Sequence, residues 1–334
     1  MVTLADVAEY AGVSASTASR ALNGRGELSQ ETRAAVLAAA HALQFEPSLL
    51  ARSLRTRTTW TVGFVVPDVS SPFYAAALKG AQAGLENAGY RVMLMDSGQD
   101  RDGELAALRT LLNHQVDGIL LSTVGLSAER YQITVARRGT PCIFFDSVLP
   151  DAGHGSVLID NADGVDCLVD HLVEHGHERI AVLAGSLDET SGYERLDAFR
   201  AAMQRHGLAV PEVYVRGDRW STAVGRGATL ELLAADPRPT AIVASSVELA
   251  LGCMFACRLS GVRIPDDLAL ATFDDAYFAE LLDPSLTAVR YDPMEVGNAA
   301  AGLLVDAMRD GAGDRRDLRV PVELVTRSSC GCAT

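Results

Sequence analysis

No stretch of this 334-residue chain approaches the roughly 18 to 20 consecutive apolar residues that a bilayer-crossing helix needs. A helical membrane span is therefore excluded. The N-terminus also lacks a basic segment followed by a signal-type apolar core, so export is not expected and the cytoplasm is the expected compartment. The six cysteines (Cys142, Cys167, Cys253, Cys257, Cys330 and Cys332) form no CxxC pair. A chain of this size builds its own core without staples, so reduced, mostly buried thiols are expected. Cys253 and Cys257 lie one helical turn apart, and Cys330 and Cys332 flank a glycine, but neither pair brings the four ligands of a structural metal site. Neither a GxSxG elbow nor a GxGxxG following a strand is present, which leaves a nucleotide-fold enzyme without support. Excess positive charge is missing too. A net charge of −14 argues against a protein that coats nucleic acid.

The charge is uneven, however. Residues 1–59 carry six arginines against five acids, a net of +1, which leaves −15 of the total −14 for the remainder. An acidic body behind a slightly basic head suppresses loose binding to DNA and leaves affinity to a few placed contacts. That head opens with TLADVAEYAGVSASTASRALN, which reads as two short helices and a tight turn. Thr3 with Asp6 has the spacing of a capping box. Gly12 breaks the first helix, Val13 plugs the corner, and Ser14 caps the second. In the second helix Ala18, Ala21 and Leu22 are expected inside, leaving Ala15, Ser16, Ser19 and Arg20 free. Small polar residues and one arginine on an outer face suit entry into a DNA major groove. A generic helical hairpin is the alternative. Ser29 begins a third helix with Val36, Leu37, Ala40 and Leu43 as its inner stripe. Pro47 then starts PSLLARSLRTRTT, a segment too short for a core, which reads as a linker able to become a short helix.

From Trp60 the pattern changes. Apolar runs at 61–66, 91–95, 118–122, 142–145, 179–185, 240–245 and 268–273 alternate with helical stretches. Continuous apolar strands between helices indicate parallel sheets covered on both faces. The length exceeds one small sheet, so two α/β subdomains are expected, with their cleft as the ligand site. His171, Glu174 and His175 have the HxxEH spacing of an inverted zinc peptidase, with His177 nearby. Gly176 stops that helix at once and no third ligand helix is evident, so no metal, cofactor or catalytic residue is expected.

Taken together these blocks resemble the LacI/GalR transcriptional regulators over essentially the full length. The resemblance rests on TLADVAEYAGVSASTASRALNG, SQETRAAVLAAAHALQFEPS, DNADGVDCLVDHLVEHGHERIAVLAG, ERLDAF, FDDAYFAELLDPSLTAVR and LVTRSSCG. It implies an all-α helix-turn-helix head at 1–46 and a hinge at 47–59. An α/β core at 60–334 follows, of two Rossmann-like, periplasmic-binding-protein-like subdomains with parallel sheets. Their expected bounds are about 60–160 with 292–319, and 161–291 with 320–330. The implied function is a ligand-responsive, sequence-specific DNA-binding regulator, a repressor of sugar-utilisation genes. The alternative is an activator or co-repressor-dependent regulator answering to a purine or other small metabolite. A pure solute-binding protein shares the two-lobed fold but would need a signal peptide and no head. The implied partners are a pseudo-palindromic double-stranded operator, a second copy of the chain and a small effector, with no membrane. Because the chain stops straight after LRVPVELVTRSSCGCAT, a dimer is expected rather than a tetramer.

By position in the family pattern, Ala15 and Ser16 face base edges and Arg20 suits a bidentate contact to guanine O6 and N7. Ser14, Thr17, Ser19 and Asn23 fall where phosphates are held. Leu54 matches the family's intercalating leucine, with Ala51 the small residue beside it; from PSLLARSLRT alone, Leu49 or Leu50 would serve equally. Ser48 stands where asparagine is common. In the cleft the resemblance assigns Phe73 and Tyr74 as an aromatic wall, and Asp146, Arg195 and Asp274 as the polar grip. Trp220 is a stacking surface, and Ser246 and Tyr291 complete the set. Ser246 and Val247 replace the family's usual Asn-Asp, so an amide and a carboxylate are expected to be missing there.

Overall fold

The computed structural model describes residues 2–22, 28–45, 58–125, 127–311 and 314–331. Two compact units divide the chain, Met1–Thr59 and Trp60–Thr334. In the first unit lie helices α1 (Leu4–Tyr10), α2 (Ala15–Leu22) and α3 (Gln30–Ala42). Thr3 and Asp6 form the capping box: the Thr3 N–H donates to Asp6 Oδ2 at 2.7 Å and the Asp6 N–H to Thr3 Oγ1 at 3.4 Å. Gly12 turns the chain with φ of +65°, a backbone that side chains resist. Ser14 Oγ then accepts the Thr17 N–H at 3.2 Å and opens α2. Val7, Ala8, Ala18, Ala21, Val36, Ala39 and Ala40 make the core, with Val13 packed against it.

Two expectations about faces are corrected. Ser19 is not free but only 8% exposed. Helix α2 packs against both α1 and α3, and Ser19 sits about 60° around the helix from Leu22, where a small hydroxyl fits the flank of the covered arc. Leu37 is 50% exposed, whereas Ala39 is buried. The inner stripe of α3 runs 36, 39, 40, 43, and Leu37 lies about 100° away from Val36.

The second unit holds two six-stranded sheets. The first contains β1 (Thr61–Val66), β2 (Arg91–Asp96), β3 (Gly118–Leu121), β4 (Cys142–Phe145), β5 (Gly155–Ile159) and β11 (Arg316–Val320), in the order β11-β5-β4-β3-β1-β2 and wholly parallel. The second contains β6 (Ile180–Leu183), β7 (Val215–Arg216), β8 (Ala241–Ala244), β9 (Ala269–Phe273), β10 (Thr287–Arg290) and β12 (Glu323–Val325), in the order β12-β10-β9-β8-β6-β7. Only the β10–β12 pair there is antiparallel. The run LRVPVELVTR, read as one strand-like segment, divides between the two sheets at Pro321, which has no N–H to give a ladder.

Helices cover both faces of each sheet, which is why the strands are apolar throughout. On the first sheet α4 (Pro72–Asn87) and α11 (Pro293–Asp310) lie on one face and α5 (Arg101–Asn113) and α6 (Ala128–Thr134) on the other. On the second, α7 (Asn161–Glu174) and α8 (Thr190–Arg205) oppose α9 (Thr222–Leu233) and α10 (Val247–Ser260). Helices α4 and α11 meet backbone to backbone. A Cβ on Gly80 would collide with the Met294 carbonyl, and one on Gly297 with that of Ala77. The chain passes between the sheets at 160–161, 291–292 and 321–322. These three short crossings leave a cleft into which the C-terminal strand ends open.

Candidate functional site

In the cleft Asp146 and Asp274 occupy equivalent places. Each follows its strand directly, β4 and β9, and each takes a left-handed backbone, φ +60° and +73°. Aspartate tolerates this region better than most residues. Asp146 is 6% exposed. Its Oδ2 accepts the Tyr74 hydroxyl at 2.8 Å and the Ser122 hydroxyl at 3.4 Å. Burial pushes its carboxyl up to about 6, against the opposing pull of Arg195 and Tyr74. Asp274 accepts the Tyr291 hydroxyl at 2.6 Å on Oδ1.

Arg195, on α8, is 3% exposed and held on several sides. Its Nε donates to Asn161 Oδ1 at 2.8 Å and its Nη1 to the Ser245 carbonyl at 2.5 Å. The guanidinium lies 3.7 Å from the Phe273 ring centre, and Nη1 is 3.7 Å from Asp274 Oδ1. An arginine fixed in this way presents its remaining donors without further loss of side-chain freedom. Trp220 covers Gly185, whose missing side chain leaves room for the indole. Its Nε1 donates to Glu189 Oε2 at 3.0 Å. Glu189 is 4% exposed, and burial together with the nearby Asp146 pushes its carboxyl up to about 8.

Phe73, Tyr74, Asp146, Arg195, Trp220, Ser246, Asp274 and Tyr291 all line one cavity of about 290 Å³. That size sits at the small end of ligand pockets, about 300 to 1,000 Å³. Ser246 serves as the N-cap of α10, its Oγ accepting the Leu249 N–H at 3.4 Å. Val247 beside it brings no carboxylate, but Glu248, one residue further on, lines the cavity and takes the Ser71 hydroxyl at 3.2 Å. Asp68, Gln99, Ser191 and Phe278 also line it and were not anticipated. Asp68 comes two residues after the end of β1, whereas Asp146 and Asp274 follow their strands directly, so its place was harder to read.

In the head, Ala15, Ser16 and Arg20 are exposed and Thr17 half-buried. Ser14 Oγ bonds with the hydroxyls of Ser16 at 3.1 Å and Thr17 at 2.9 Å, and Arg20 Nε reaches back to the Ser16 carbonyl at 3.4 Å. Asn23, Ala51 and Leu54, with most of the hinge, lie outside the described residues. The HxxEH residues are otherwise engaged: His171 Nε2 meets Cys330 Sγ at 3.2 Å and His175 Nδ1 the His171 carbonyl at 2.7 Å. Among the described residues no group of three His, Cys, Asp or Glu is placed to hold a metal, and no helix is long and apolar enough to cross a membrane.

Comparison with known proteins gives these two units a common context. Residues 3–48 match the family of bacterial regulatory proteins, lacI family, and residues 169–330 match the periplasmic binding protein-like domain. The ribose operon repressor of Escherichia coli (strain K12) is 32% identical over 98% of this chain and 100% of its own length. The HTH-type transcriptional repressor PurR of Vibrio cholerae serotype O1 (strain M66-2) is 30% identical over 98% of each. A crystal structure of the lac repressor dimer bound to operator and the anti-inducer ONPF superimposes with a TM-score of 0.88 at 27% identity, covering 98% of this chain and 99% of that one. The chain belongs to the lacI family of bacterial regulatory proteins. It is a DNA-binding transcriptional regulator with a ligand-binding core, and the relatives it matches are regulators rather than enzymes.

Proposed function

We propose that the chain is a cytoplasmic, homodimeric repressor of sugar-utilisation genes that releases a pseudo-palindromic operator when a monosaccharide-sized effector fills the cleft. One observation carries the ligand class. Arg195, Asp274 and Asp146 converge at strand ends beside the Trp220 and Phe73 rings, in a cavity of about 290 Å³. Polar groups that each take two hydroxyls, set against aromatic faces, suit a polyhydroxylated ring. The ribose operon repressor among the relatives agrees with this reading. A purine is the second reading, favoured by the same rings as stacking surfaces.

At the DNA end, Arg20 reads guanine, Ala15 and Ser16 pass close to base edges, and Ser14, Thr17 and Asn23 hold phosphates. Leu54, with Ala51 beside it, wedges into the minor groove from a hinge at 47–59. Effector binding changes the relation of the two core subdomains, the paired hinges lose support, and the heads lose their joint grip. A thermal-shift screen of sugars, polyols and nucleobases tests the ligand class. A true effector at 100 times its Kd adds about 2.7 kcal/mol of stability. A pentose or hexose is expected to raise the melting temperature, and stabilisation by nucleobases alone would replace the sugar with the purine.

A further inference from the structure

The cleft holds more negative charge than its guanidinium offsets. Asp68, Asp146, Glu248 and Asp274 line it together, and Arg195 is the cation among the described lining residues. Arg195 serves two of the four acids. Its Nη1 stands 3.7 Å from Asp274, and its field draws the Asp146 carboxyl downward. Glu248 has no such help. It stands in the first turn of α10 and takes hydrogen bonds from Ser71, Ser246 and its own backbone, yet burial and the neighbouring Asp274 outweigh these and push its carboxyl up. No ion pair involves it among the described residues. A partly buried carboxylate with no cation of its own is costly unless it takes a proton or a ligand brings the positive charge.

We infer that the effector is itself a cation, a sugar-sized hydroxylated scaffold bearing a protonated amine that Glu248 receives, with Asp274 beside it. The hydroxyls then fall to Arg195 and Asp146, and the ring to Trp220 and Phe73. These aromatic faces attract a cation as well as a sugar face. A phosphorylated or carboxylated sugar meets four carboxylates instead and is excluded by like-charge repulsion. The inference rests on the sugar-sensor reading above and narrows it.

The test uses matched sets on the full-length protein. Glucose, galactose, mannose and ribose are each titrated calorimetrically at neutral pH against their amino-deoxy counterparts. The N-acetylated and phosphorylated hexoses serve as uncharged and anionic controls. An amino sugar is expected to bind about tenfold or more tighter than its parent, the range of one charge-assisted hydrogen bond. Acetylation, which removes the charge, is expected to abolish that advantage. Glu248→Gln, checked for an unchanged melting profile without ligand, is expected to bring the amino-to-parent affinity ratio close to one. A parent sugar that binds as tightly as its amine and releases operator DNA overturns the cationic effector while leaving the sugar sensor intact. Failure of every compound to bind removes both.

Discussion

Glu189 offers the most quantitative test of the cleft's electrostatics. Its carboxyl is 4% exposed, lies near Asp146 and takes the Trp220 indole N–H at 3.0 Å. Its folded pKa of about 8 stands above the ordinary 4.5. The folded state therefore keeps a proton that the unfolded chain releases. Stability from this group is complete below about pH 4.5 and is lost as pH rises through about 8. Asp146 follows the same sign but finishes earlier, near its value of about 6. Between about pH 6 and 8, Glu189 therefore makes stability fall as pH rises, at up to about 1.36 kcal/mol per pH unit. The loss across that window is about 2 to 3 kcal/mol, or roughly 5 to 10 °C in melting temperature for a unit of this size. Glu189→Gln keeps an oxygen to accept the Trp220 N–H and removes the titration. Scanning calorimetry of both proteins from pH 5.5 to 8.5 should show the variant losing far less stability across the window and melting above the wild type at pH 8.5. If the two proteins fall in parallel, the buried, proton-holding carboxyl is wrong.

Three other perturbations probe separate parts. Arg20→Ala should cost about 1 to 3 kcal/mol of discrimination at one guanine while leaving the melting temperature of the core unchanged, as read by binding to operators mutated base by base. Leu54→Ala should reduce operator bending and affinity together; an unchanged bend angle in circular-permutation gels would contradict the wedge. Gly297→Ala, which thrusts a methyl against the Ala77 carbonyl, should destabilise the second unit by about 3 kcal/mol in urea unfolding. No loss there would mean that α4 and α11 separate easily.

The sequence was informative where one local rule had no rival. Thr3–Asp6 and Ser14 fixed helix starts because a side-chain oxygen at the cap has one N–H to take. The long apolar strands of both sheets were legible for a similar reason, since only a doubly covered sheet buries them. Short strands escaped. β7 has two residues, too few for a pattern to stand out from a loop, and β10 has only Ala288 and Val289 as apolar residues between Thr287 and Arg290. Ser19 and Leu37 were misjudged because each lies at the edge of an amphipathic arc, where the neighbouring helices, not the periodicity, decide exposure. In the cleft, residues from 68 to 291 converge on one cavity, and no local spacing carries that convergence. The family pattern named eight of its lining residues. Glu248 and Asp68 needed coordinates, because the pattern gave no reason to look one helical step past Ser246 or two residues past β1.

The central claim is that the cleft controls the head's grip on DNA, and one measurement addresses it directly. An operator is first selected from random duplexes with the purified protein, and fluorescence anisotropy then follows its affinity with and without the stabilising sugar, for the wild type and for Asp274→Asn. This substitution keeps an oxygen for the Tyr291 hydroxyl but removes the charge facing Arg195. The wild type is predicted to select a pseudo-palindrome and to lose at least about tenfold in affinity when the ligand binds, a coupling of typical size. Asp274→Asn is predicted to bind the same operator and to ignore the ligand. A wild-type affinity that the ligand leaves unchanged, or a full response in Asp274→Asn, contradicts the account.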